Sequence, residues 1–456
     1  MPTCCKYENE IVGYKCDWES DEAGDGFCIL HSVNPKKDQG AFEQALTTHR
    51  EKYGDIFIGF VFPAFFTFQD AKFTGNTDFR DAEFSGDADF RGAEFSGNAD
   101  FHVAKFGGYA DFVRAAFSGN VNFGLATFSE NANFRGAVFS GRADFVRATF
   151  SGNVNFGVAA FSRTANFGVA TFSGDANFRG ATFSKNADFR AAKFTQNVLF
   201  NNTKFLSRAI FASGKDNTGQ FIPIFGLTET GAEIDFRDVI VELPDAILFR
   251  DADLSNCRFL RMDLRRAEIT NVIWRQMGHR IGVYDEYVLL EEKTDEWGHV
   301  ETLYRQLKQK YEERKDYEAA GDFHYGEKEM RRRNPKTSRG IRFLLTSYWL
   351  VAGYGERYLR PLLCAGILLF VSMTCYLSPW FELKLKLYKG TRILDWTSGW
   401  GWLESLHYTL RTMLLLKPDD LATPLGYSKW IFLIDSVLGP SLIALFALVI
   451  HQRLKR

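Results

Sequence analysis

Little in this 456-residue sequence points to enzymatic chemistry. Its eight His include no H-E-x-x-H pair, and no P-loop, G-x-S-x-G or G-x-G-x-x-G stretch occurs. The chain is therefore not expected to be an enzyme. Net charge is nearly absent as well: 55 Lys and Arg against 56 Asp and Glu leave −1, which argues neither for nor against a polyanionic partner. The N-terminal stretch MPTCCKYENE has neither the basic start nor the apolar run of a secretory signal. Cys is scarce, at seven. With no such signal, the N-terminal part is expected in the reducing cytosol, where grouped Cys suggest a metal ion more than disulfides. At about 100–200 residues per domain the length allows two or three domains, so a single compact core is not expected.

What the sequence has in excess is Phe, 45 in all. Over residues 73–211, 26 Phe recur at spacings that alternate between five and six, giving an 11-residue unit such as ADFRAAKFTQN from Ala187. A fixed short period predicts a solenoid, in which each unit buries its apolar side only against its neighbours. A small residue stands two positions before each Phe, as Ala187 does before Phe189 and Ala192 before Phe194. Residues two apart in an extended chain face the same side, so small and large side chains share one interior while Asp, Asn, Arg and Ser stay outside. A helix does not fit, because alternating five and six matches neither period, about 3.6 nor about 3.5. The SGN and SGD inserts supply turn residues at the six-residue step.

Here the sequence resembles the pentapeptide-repeat family, whose motif is A-(D/N)-(L/F)-x-x. The resemblance covers residues 70–211 and resumes at Phe249, Leu254, Phe259, Leu264 and Ile269, now at a uniform five-residue spacing. It implies a right-handed quadrilateral β-helix over residues 56–275, in which two 11-residue units make one four-sided coil. Between the two runs, SGKDNTGQFIPIFGLTETG breaks the spacing and is expected to bulge as a loop near residues 212–232. Some members of the family imitate DNA with an acidic shaft. Residues 72–208 here carry 12 Asp and Glu against 15 Lys and Arg, so neither that role nor a nucleic-acid partner is expected. IFIGFVFPAFFTF, residues 56–68, is shorter than the ~20 residues a membrane helix needs and is expected to cap the open end of the β-helix.

Residues 1–50 hold Cys5, Cys16, Cys28 and His31 in a C-x10-C-x11-C-x2-H arrangement. These are four ligands of the kind and number that close a structural zinc site. The loops between them are short and rich in Gly and Asp, so a packed core there is not expected without a metal ion. Zinc is accordingly the expected cofactor, with free cytosolic thiols as the alternative, and Cys4 competes with Cys5 for the first position. Cys257, Cys364 and Cys375 are scattered and read as small core or membrane residues.

Residues 285–338 read as a helical linker: Leu303, Leu307 and Tyr311 recur at helical spacing, and a turn near Lys315 and Asp316 starts a second helix. Residues 339–456 read as membrane protein. An interfacial helix with apolar, aromatic and terminal charged residues comes first. Two apolar stretches, residues 361–381 and 430–450, are each long enough to cross a ~30 Å hydrocarbon layer. Lys and Arg crowd before the first and after the second, which places both termini in the cytoplasm of a multi-pass inner-membrane protein. Asp435 within the second stretch is expected to meet a cavity or partner, or to lie at the interface.

Two crossings with both ends on one side leave no third crossing for residues 400–416, WGWLESLHYTLRTMLLL, although they can form a helix. A re-entrant helix followed by KPDDLATP resolves this, since such backbone tolerates membrane depth only when shielded by protein or facing water. At these residues the chain resembles two-transmembrane pore-loop channels of the potassium-channel type, and proteins that join pentapeptide repeats to such a domain. The resemblance implies a homotetrameric ion channel, with Thr412 at the end of the pore helix and Lys417, Asp419 and Asp420 where the family carries its filter. The family's T-V-G-Y-G-D reads L-L-K-P-D-D here, so carbonyl-based potassium selectivity is not expected. Rings of Asp419 and Asp420 attract cations and Lys417 opposes them. Gly439 and Pro440 offer a gating hinge or a static kink. The competing expectation is a non-conducting, membrane-anchored scaffold that presents the β-helix to cytosolic partners.

Overall fold

The computed structural model describes residues 6–9, 14–19, 26–34, 37–215, 221–222, 224, 232–357, 359–378, 383–387, 390–393, 399–416, 422–424 and 427–454. It divides into two compact units, Met1–Leu307 and Lys308–Arg456.

The first unit begins with a small antiparallel pair, Glu8–Asn9 with Tyr14–Lys15, and helix α1, Gln39–Tyr53, whose start is capped by the Asp38 carboxylate accepting from the Ala41 N–H. A β-solenoid of about nine turns follows. Its two- to four-residue strands form four parallel sheets of seven, eight, nine and nine strands. Up to Ala209, strands pair at a 22-residue offset, as Ala99 with Val121, Phe106 with Phe128, Ala110 with Ala132 and Phe117 with Phe139. Two 11-residue units therefore make one turn.

The 26 Phe side chains of residues 73–211 are all buried and stack in four columns. Phe101 lies 4.7 Å from Phe123, Phe106 4.7 Å from Phe128, Phe112 4.9 Å from Phe134 and Phe117 5.1 Å from Phe139, each pair within 10° of parallel. Neighbouring columns meet edge to face, as Phe101 and Phe112 do at 89°. Both are favoured aromatic geometries, each contributing about 0.5–1.5 kcal/mol beyond simple burial. The Ala positions fill the space between them: Ala104, Ala115 and Ala126 are fully buried.

The polar motif residues hold the turns. The Asp or Asn that precedes alternate Phe accepts a bond from the N–H two residues on, as Asp100 does from His102 and Asn122 from Gly124. The next residue, two after the Phe, takes the left-handed conformation, as Val103 (φ 62) and Arg114 (φ 57) do. At the six-residue step, the Asn of SGN accepts from the backbone N–H one coil later. One such ladder runs from Asn98 to Asn120 to Arg142, another from Asn131 to Asn153 to Asp175. The Gly before it has no room for a side chain: a Cβ at Gly119 would lie 2.3 Å from the Gly97 carbonyl oxygen of the preceding coil.

One feature departs from the sequence-based expectation. Residues 56–68 do not merely cap the solenoid; they form its first coil. Val61–Phe62 and Phe65–Thr67 pair with Glu83–Phe84 and Asp87–Asp89, because Phe57, Phe62 and Phe68 already occupy the Phe columns. The covering element is α1, whose Phe42 packs on Phe62 and Phe66. Near residues 212–232 the ladder does skip: Val198 pairs with Ile234, and the extra chain includes an antiparallel pair, Gly214–Lys215 with Phe221–Ile222. The last coil, where the spacing is uniformly five, pairs Ile247–Arg250 with Ala267–Thr270 at a 20-residue offset.

Helix α2, Tyr284–Glu292, and helix α3, Trp297–Glu313, follow the last coil. Asp285, on α2, accepts from the backbone N–H of Phe259 and Leu260. Complete burial pushes its carboxyl up to about 7, against these bonds and Arg258. Beside it Arg280 grips Glu286 at 2.6 and 2.7 Å, and the Tyr304 hydroxyl donates to the same carboxylate.

The second unit contains helix α4, Tyr317–Arg333, started after Lys315 (φ 61) by the Asp316 cap. Helices α5, Arg339–Ala352, α6, Leu359–Leu377, α7, Gly399–Met413, and α8, Ser428–Leu454, complete it. This unit is not all-α, a further departure. Leu383–Leu387 pairs with Gly390–Ile393 on one side and Ala422–Pro424 on the other. LKLKL carries the period-two alternation of a half-buried strand. The first apolar helix ends at Leu377, short of residue 381.

Candidate metal centre and membrane-domain core

Cys28 and His31 lie in one turn, closed by the His31 and Ser32 N–H bonding to the Cys28 carbonyl. Cys16 is carried there by the strand Tyr14–Lys15. All three are buried. Cys16 Sγ stands 3.7 Å from Cys28 Sγ, and Cys28 Sγ 3.1 Å from His31 Nδ1. The three donor atoms lie within 4.8 Å of one another. Two thiolates bound at about 2.3 Å to one tetrahedral ion lie about 3.8 Å apart, so the sulfur separation fits a shared metal.

The surroundings favour the ligand forms. The bond from Cys16, and then that from His31, holds the Cys28 thiol down to about 4 in spite of burial. His31 Nε2 lies 3.1 Å from the Ile58 carbonyl, an acceptor, which assigns a proton to Nε2, while Nδ1 faces the Cys28 sulfur. The ring is stacked on Tyr7 at 4.1 Å and set edge-on to Phe60, and the Tyr7 hydroxyl donates to Asp81. The cluster is thus anchored to the first coils by a backbone carbonyl and by ring packing. Cys4 and Cys5, the candidates for a fourth ligand, lie outside the described residues.

In the second unit, Leu359–Leu377 and Ser428–His451 are long and apolar enough to cross a membrane, and only 17% of each apolar window is buried within the chain. Core helices of a water-soluble protein would be mostly covered. Leu363, Ile367 and Phe370 on α6 and Leu433, Val437 and Leu438 on α8 are exposed, which is consistent with membrane association.

Several polar groups are buried between the helices of this unit. Asp435 on α8 is fully buried and accepts from the Ser372 hydroxyl at 2.6 Å and the Tyr376 hydroxyl at 3.3 Å, one turn apart on α6. Its partner was not legible in the sequence because 63 residues separate Ser372 from Asp435. Helix α7 lies against both apolar helices. Its Ser405 donates to the Met373 carbonyl, and Tyr408 meets Tyr376 edge to face at 5.3 Å. At its far end Met413 presses on α8: a Cβ at Gly439 would come within 2.7 Å of the Met413 side chain. Thr412 is buried in this packing and donates to the Tyr408 carbonyl. Pro440 sits inside the continuous α8. Lys417, Asp419 and Asp420 lie outside the described residues.

Comparison with known proteins places a family model described as "Pentapeptide repeats (9 copies)" on residues 68–114, 104–149 and 145–193. The pentapeptide repeats are therefore present within the solenoid. No curated protein and no solved structure matches the chain.

Proposed function

We propose that the chain is one subunit of an ion-conducting membrane assembly without enzymatic activity. In this reading a pentapeptide β-helix, right-handed and quadrilateral, stands in the cytosol on the inner membrane, with both termini cytoplasmic. A zinc ion on Cys16, Cys28, His31 and Cys5 or Cys4 ties the N-terminal segment to the first coils.

One observation carries the conducting role, the course of α7. It starts near Ile431, where Trp402 packs beside Tyr408 and Phe432, and ends against Gly439. Ser428 to Gly439 is about 16 Å of helix at about 1.5 Å per residue, half of a ~30 Å hydrocarbon layer. By Ala422–Pro424 the chain is paired with Leu383–Leu385, just beyond the end of α6. This course supports a loop that dips to mid-depth and returns to the side it entered, with KPDD at its deep end. Such a segment requires water and shielding protein, which one protomer cannot supply, so sister copies close around it, four in the pore-loop arrangement. Thr412 ends the pore helix, Asp419 and Asp420 attract cations, Lys417 tempers them, and Gly439 with Pro440 allows α8 to bend below the loop.

Planar-bilayer recording of the purified protein tests this. Unitary current steps that Asp419→Ala/Asp420→Ala abolishes or rectifies are expected. A silent bilayer from well-folded protein would favour the second reading, a membrane-anchored scaffold, for which the absence of a T-V-G-Y-G-D stretch speaks.

A further inference from the structure

Helix α5 uses only one side of its surface for packing. Leu345 and Ala352 are buried, Trp349 donates to the Tyr325 hydroxyl at 2.7 Å and lies between the guanidiniums of Arg332 and Arg360 at 4.9 and 5.4 Å, and Arg342 folds back onto the carbonyls of Asn334, Pro335 and Thr337. The opposite side is apolar and bare. Phe343 is 75% exposed, Leu344 66% and Leu350 61%, and at 100° per residue these three and Ser347 share one stripe.

Cations border that stripe. Residues 329–342 hold six Lys and Arg against the single acidic Glu329, and Glu329 is engaged by Arg332 and Arg333. Arg331 and Arg339 are exposed, with no carboxylate in ion-pair range among the described residues. Arg339 lies at the edge of the stripe, one turn before Phe343. Seven residues beyond α5, the first candidate span begins at Leu359. A stripe so close to a membrane crossing is within reach of the lipid surface, and its charge selects the sign of that surface.

We infer that α5 lies in the headgroup layer of an anionic leaflet, with Phe343, Leu344 and Leu350 among the first acyl carbons and Arg331 and Arg339 on acidic headgroups. The inference rests on reading α6 and α8 as membrane spans. Hydrogen–deuterium exchange of the full chain tests it, in nanodiscs of phosphatidylcholine alone and of phosphatidylcholine with phosphatidylglycerol. Residues 339–352 are expected to exchange about ten-fold more slowly in the anionic discs, the order that two Arg at a charged surface supply, and R331Q/R339Q is expected to erase the difference. Equal exchange in both discs, whether fast or slowed by a covering protein partner, would overturn the proposal, as would a difference that survives R331Q/R339Q. Fast exchange along α6 in both discs would instead remove the span reading on which it rests.

Discussion

Cys28 shows how much one side chain can hold. Its sulfur is the common neighbour of Cys16 and His31, so Cys28→Ser takes away the central donor and leaves the other two without a thiolate between them. Bound metal measured by plasma emission on the purified protein is expected to fall from about one equivalent per chain to nearly none, with the strand signal of the solenoid unchanged. A wild-type protein that carries no metal would reduce the cluster to packed thiols. The C-x2-H pair was readable as neighbours because both residues fall in one turn. The approach of Cys16 was suggested only by residue type, since the loop that delivers it has no periodicity. At the same scale, the Asp and Asn of the repeat were legible as outward-facing, but not as acceptors for the neighbouring coil. That role depends on which backbone N–H stands opposite each side chain in the next coil, which the repeat length by itself does not say.

Among elements, the coil is the unit that can be removed. Deleting residues 145–166 joins Asp144 to Phe167, keeps five and six in alternation, and returns every later strand to a neighbour of the same column. Deleting residues 145–149 puts two six-residue steps in succession and moves every later SGN row to the adjacent sheet. The first variant is expected to unfold cooperatively within a few degrees of the parent by circular dichroism, since a solenoid's stability is a sum of like interfaces. The second is expected to lose that transition or to aggregate. Equal behaviour of the two would mean that the ladders contribute little. The Phe period made the repeating coils over residues 73–211 readable. Two others were obscured: α1, because its apolar face has only Phe42, Leu46 and His49 to bury, and the sheet at Leu383–Leu387, because its partners Gly390–Ile393 and Ala422–Pro424 have no alternation of their own. The apolar helices were legible from composition, while the packing of Met413 on Gly439 was not, since a glycine in an apolar run carries no mark of what approaches it.

For the whole molecule, the decisive quantity is stoichiometry. The chain has a mass of 52.0 kDa, and native mass spectrometry from detergent is expected to give a species of about four times that, in line with the pore-loop arrangement. A monomer would leave KPDD without shielding neighbours and would end the conducting proposal.

The end of the solenoid has a consequence of its own. Where the motif's Asp or Asn precedes a Phe, the Phe N–H bonds to a carbonyl of the coil after it, as Phe236 does to Arg258, and the N–H one residue later is taken by that Asp or Asn, as that of Arg237 is by Asp235. At Phe259 no further coil follows, and Arg258 stands where that Asp would be. Asp285 fills both vacancies with one carboxylate. Without it two backbone donors at the last rung would lack the acceptors that a further coil supplies in the body of the rod, so this side chain helps close an end that would otherwise present open backbone.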